Sequence, residues 1–147
     1  MLYQKLRTFL LLSWGEKALA FEALAWLGLM RLAVLTLPFK RIASWLGKPG
    51  ANLPAAPLSP PQAQTALRVA RAVRRMHPFT PWDSNCLAQA LTARQMLKRR
   101  GIPSTTCLGA AIESGEGLVA HAWLYCGPWI LTGAHGHKRY KIVAIFA

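Results

Sequence analysis

A chain of 147 residues has room for one domain with a core of its own and is too short for two ordinary ones. Its 53% hydrophobic content and six tryptophans exclude a disordered tail, because enough apolar surface is present to offset the entropy of folding. Eighteen Lys and Arg against five Asp and Glu give a net charge of +13, which attracts acidic partners; Asp83, Glu16, Glu22, Glu113 and Glu116 leave a mechanism built on paired carboxylates almost nothing to use.

Residues 1–47 are expected to be a helical N-terminal region. Leu6, Leu10 and Trp14, then Leu19, Ala23, Trp26, Leu27 and Met30, recur at intervals of three and four. Ser13 followed three residues later by Glu16 has the form of a capping box, so a second helix should start there. The run EKALAFEALAWLGLMRLAVLTLPF is about as long as a bilayer span, but Glu22 and Arg31 interrupt it. An amphipathic or buried helix pair is the expectation, with contact to a membrane surface as the lesser alternative. Pro38 should break the helix before a short amphipathic turn that ends at Gly47-Lys48-Pro49-Gly50.

Residues 48–61 carry five prolines without periodicity and are expected to be a linker, which leaves 62–147 as the core. Helical spacing returns at 62–77, where Ala66, Val69, Ala70 and Val73 share one side and Arg68, Arg71, Arg74 and Arg75 largely occupy the others. A solvated face is the plain reading of that arginine row, and an acidic partner surface the other. After the loop HPFTPWDSN, a helix should open at Cys86, carry Leu87, Ala90, Leu91, Met96 and Leu97, and stop at Lys98-Arg99-Arg100-Gly101. Beyond Pro103 the segments STTCLGAAI, LVAHAWLYC, PWILTG and YKIVAIF are β-branched or aromatic runs between Gly-bearing turns. Helices followed by an antiparallel meander make an α+β domain.

Cys86 has the most chemically useful position. The first turn of a helix offers unpaired N–H groups and a positive dipole end, which favour a thiolate and can hold an oxyanion. The base must come from a distant histidine. His121 sits in mid-strand among apolar residues and shares a face with Val119 and Trp123, whereas His77 is at a helix end, and His135 and His137 lie in a Gly-flanked turn with no third metal ligand. Read singly, a helix-start cysteine and a strand histidine are each ordinary structural residues. A cysteine followed about 35 residues later by a strand histidine is the order used in papain-like and transglutaminase-like folds. Cys107 and Cys126 read as inert core or edge thiols; three cysteines fit neither a metal spacing nor full disulfide pairing, and with no secretory signal a reducing cytoplasm is expected.

These same residues carry a resemblance. SNCLAQALTARQMLKRRGIPSTTCLGA, AHAWLYCGPWILTG and KRYKIVAIFA, together with the N-terminal run EALAWLGLMRLAVLTLPFKRIASWLG, resemble the transglutaminase-like leader peptidases of lasso-peptide biosynthesis, the maturation B proteins. The resemblance implies a papain/transglutaminase-like core with a Cys-bearing helix on an antiparallel sheet. It implies a cysteine protease, without cofactor or metal, that removes the leader from a ribosomally made precursor ahead of ring closure by a partner lasso cyclase. Cys86 would be the nucleophile and His121 the base.

Two features depart from that pattern. The family's usual aspartate on the strand after the histidine is absent, because PWILTGAHGHK places Thr132 and Gly133 there and no acid follows Glu116. The orienting group is open among Thr132, His135, His137 and a backbone carbonyl, with Asp83 in the loop before the cysteine the least favoured. Residues 1–47 also read as helical and too short for the fused recognition module that some members carry, which implies a separate leader-recognition protein. The alternatives are a catalytically silent binding module of the same fold, a transglutaminase acting on glutamine, and a basic nucleic-acid binder. Nucleic acid is not the expected partner, since the tryptophans fall on apolar faces and not among the arginines.

Overall fold

The computed structural model describes residues 1–53, 56–80 and 85–147. Three helices open the chain: α1 (Leu2–Leu10), α2 (Trp14–Thr36) and α3 (Phe39–Leu46). The Ser13–Glu16 capping box is formed in both directions, with the Glu16 N–H donating to Ser13 Oγ at 3.3 Å and the Ser13 N–H to Glu16 Oε2 at 3.2 Å. Pro38 separates α2 from α3, as the missing N–H of proline requires.

Helix α4 (Pro60–Met76) begins inside the stretch read as linker, because proline is well suited to a first helical turn; Ser59 caps it in a second capping box with Gln62. Ahead of it, the front of that stretch is stitched to the end of the chain. Pro49 bridges Phe146, and Lys48 and Ala147 exchange both backbone hydrogen bonds at 2.7 and 3.0 Å.

Helix α5 (Cys86–Lys98) is capped by Asn85, whose Oδ1 accepts from the Ala88 N–H at 2.9 Å. At its far end Gly101 takes φ +67°, a conformation that glycine adopts without strain, and the Ile102 N–H returns to the Leu97 carbonyl at 3.1 Å. The sheet contains β1 (Thr105–Glu113), β2 (Gly117–Cys126), β3 (Trp129–Thr132) and β4 (Lys141–Phe146), antiparallel throughout. Its order is β3-β2-β1-β4. The expected meander therefore holds only for three strands: β4 does not follow β3 but crosses to pair with β1, which gives the Greek-key order. The crossover, residues 133–140, runs over the sheet face that bears Trp123.

Layers follow from which sides are apolar. Leu19, Ala20, Ala23 and Leu27 of α2 meet Val69, Ala70 and Val73 of α4, Ala93, Met96 and Leu97 of α5, and Ala122, Leu124 and Cys126 of β2 in one core. A second cluster joins Met30, Ile42, Leu46, Leu91 and Phe146. Charge locks α2 to the end of α5, where Glu22 accepts a paired hydrogen bond from Arg100 at 2.6 and 3.1 Å and one from Arg99 at 3.2 Å. The Arg100 hydrogen bond, followed by the charges of Arg100 and Arg99, holds the Glu22 carboxyl below its ordinary value despite partial burial.

A carboxyl lowered in this way contributes stability above the ordinary carboxylate range and loses it as pH falls through its lowered value. Glu22→Gln should cost about 0.5–1 kcal/mol at neutral pH, and urea midpoints at pH 7 and in acid should differ less for the variant than for the wild type. Gly109 tests the opposite sheet face, because a Cβ there would stand 2.7 Å from Trp123 and from Tyr140. Gly109→Ala should lower the unfolding free energy by about 1–3 kcal/mol in the same assay.

Candidate active site

Cys86 occupies the first position of α5, where the Asn85 side chain caps the opening turn. Ala88 N–H is taken by the Asn85 side chain and Gln89 N–H by the Asn85 carbonyl at 3.1 Å. Among the described residues the N–H groups of Cys86 and Leu87 have no acceptor. Half-buried, the Cys86 thiol lines a cavity of about 510 Å³ between α4, α5 and the end of β3.

His121 reaches the same cavity from β2. Its ring is flanked by two aromatics, Tyr140 with centroids 4.9 Å apart and Trp123 at 5.8 Å, both near parallel. Nε2 lies 2.7 Å from the Gly133 carbonyl oxygen. A carbonyl only accepts, so Nε2 carries the proton, and in the neutral ring Nδ1 is then the free acceptor. Gly133 can sit this close because it has φ +74° and no side chain; a Cβ would collide with the Ala122 carbonyl oxygen and stand 2.9 Å from Trp123.

The other site residues named from sequence are distributed unevenly. Thr132 and His135 line the cavity. Thr132 Oγ1 is buried without a hydrogen-bond partner among the described residues, so it does not hold His121. His137 packs against Trp123 at 5.7 Å and donates from Nδ1 to the Ala134 carbonyl at 2.7 Å. Asp83 lies outside the described residues. Among the described residues no hydrogen bond joins the Cys86 thiol to His121, and no three His, Cys, Asp or Glu side chains gather as a metal would need.

Two contributors to the cavity were not singled out from the sequence. Gln89 stands three residues after Cys86, a spacing that puts both on one side of the helix, and Arg74 is the member of the arginine row that borders the cavity. Of the orienting groups left open from the sequence, the one that meets His121 Nε2 is a backbone carbonyl, that of Gly133.

The sequence profile of the transglutaminase-like superfamily matches residues 33–144, from the last turn of α2 to β4. The chain belongs to the transglutaminase-like superfamily. No curated protein and no solved structure matches it. A transglutaminase-like domain generally implies cysteine chemistry of the peptidase or acyl-transfer kind, and the cavity gathers a thiol at a helix start and an imidazole, the parts such chemistry needs.

Thiol selectivity gives the first check. Cys107 and Cys126 are buried, and burial pushes both up to about 11, so neither is a thiolate near neutral pH. Iodoacetamide on the native protein, read by peptide mass spectrometry, should label Cys86 alone; Cys107 and Cys126 should react only after denaturation.

Proposed function

We propose that this chain is a cysteine peptidase that removes the leader from a ribosomally made lasso-peptide precursor in the cytoplasm, ahead of ring closure by a partner cyclase. The observation that carries the reading is one cavity shared by a helix-start cysteine and a histidine whose Nε2 is already engaged, leaving Nδ1 as its basic atom. Family membership supports the class of chemistry, and the sequence blocks around Cys86 and His121 support the leader-peptidase branch of it.

The steps follow from the groups present. His121 Nδ1 takes the Cys86 proton as Sγ attacks the carbonyl that joins leader to core, and the N–H groups of Cys86 and Leu87 donate hydrogen bonds to the developing oxyanion. Nδ1–H then protonates the leaving amine of the core peptide. A water, deprotonated by the same nitrogen, attacks the thioester and frees the leader carboxylate and the thiol. The thiol and the ring must approach for the first step, as catalytic hydrogen bonds that are open in a free enzyme do when substrate arrives. A separate recognition protein brings the leader, and the released amine goes to the cyclase.

Mass spectrometry of a precursor peptide incubated with this protein and its recognition partner tests the proposal. Wild type should release an intact leader, Cys86→Ala none, and His121→Ala at least about a thousandfold more slowly. Gly133→Ala, which must displace the carbonyl that holds the ring, should lower kcat by about a hundredfold with little change in KM. A folded, partner-bound wild type that leaves the precursor whole would sink the proposal in favour of a silent binding module.

A further inference from the structure

The outward side of α2 is apolar and largely uncovered, with Phe9 of α1 meeting only its Phe21, edge to face at 5.8 Å. Trp14, Phe21, Leu29, Leu32 and Leu35, 52–84% exposed, recur with the exposed Ala18 and Ala25 at steps of three and four, and Phe39 continues the line. The stripe is about 30 Å long at the rise of an α-helix. Its opposite edge is the one buried on α4 and α5. A helix that is apolar on every side belongs in a core or against lipid, and only about a third of this one is buried. Of the eighteen large apolar side chains that stand exposed among the described residues, twelve fall between Met1 and Phe39.

Charge identifies the occupant. No acid lies on the stripe itself. Helical spacing sets Lys17 and Arg31 along one border, and Lys40 and Arg41 stand exposed just beyond its end. On the other border Glu22 is outnumbered by Arg99 and Arg100, which reach it from α5. Trp14 anchors the first turn with the Lys17 ammonium 4.8 Å above its ring, a pairing of amphipathic ring and cation suited to the level of lipid headgroups. A long apolar line edged with cations and free of charged side chains along its length fits a surface of acyl chains below anionic phosphates.

We propose that α2 docks this protein flat on an anionic membrane surface, the stripe sunk to the headgroup boundary and the bordering cations on phosphates. Although α2 is long and apolar enough to cross a bilayer, crossing would strip Leu19, Ala23 and Leu27 out of the shared core. The stripe lies on the far side of α2 from α4 and α5, so docking leaves the Cys86 cavity uncovered.

Co-sedimentation of the full chain with vesicles tests this without any peptide substrate. Wild type should pellet with phosphatidylcholine vesicles that contain phosphatidylglycerol, should bind those of phosphatidylcholine alone at least about tenfold more weakly, and should be released by alkaline carbonate. Leu29→Ser/Leu32→Ser/Leu35→Ser, all on the solvent side, should keep the far-UV spectrum and melting temperature and lose at least about tenfold in binding; Lys17→Gln/Lys40→Gln/Arg41→Gln should lose the anionic preference. Wild type left in the supernatant, retention through carbonate, undiminished binding by a folded triple-serine variant, or a dimer in solution that this variant dissolves would each overturn the proposal.

Discussion

Helix α5 is buried on nearly every side, and the position of the Cys86 thiol depends on that. Ala88, Ala90 and Ala93 let its neighbours come close, while Leu91, Met96 and Leu97 fill the space toward α2, α3 and the sheet. A helix gripped on several faces can neither roll nor slide without opening cavities in two clusters at once. Asn85 fixes where it starts and the Glu22–Arg100 pair ties down where it ends. Cys86 is therefore placed by packing up to eleven residues downstream of it, and substitutions there would move the thiol without touching it.

The two sides of the sheet have different tasks. One, through Ala122, Leu124 and Leu131, completes the core beneath α4 and α5. The other carries His121 and Trp123 and is covered by a chain that must travel from β3 to the far edge beside β1. The covering segment brings Tyr140 and His137 onto those rings, and its first residue supplies the acceptor for His121. The strand order and the histidine's surroundings thus have a single topological origin.

Local elements were readable because each has its own period. The three N-terminal helices, the capping box at Ser13 and the strand segments lie close to where alternation and turn residues put them. The neighbour of β4 was not readable, since a strand's side-chain pattern records which face is buried and not which strand lies beside it. Proline content likewise hid the bridge from Pro49 to Phe146, because pairing there uses the N–H and carbonyl groups of the residues around the proline. At the site, Cys86 and His121 stood out by residue type and context. A backbone carbonyl was among the groups open to hold His121, but which one was not readable, because every residue has a carbonyl and no letter of the sequence marks the one that is used.

That carbonyl has a consequence for acid tolerance. A carboxylate that orients an imidazole loses its charge, and with it its grip, once the solution is acidic enough to protonate it. The Gly133 oxygen takes up no proton across the range in which the protein is folded, so this ring is held equally well on both sides of that threshold. The same neutrality sets a limit: a dipole offers a cationic ring less than a full negative charge would. This fold has therefore exchanged electrostatic strength for an anchor that neither acid nor a side-chain substitution elsewhere can discharge.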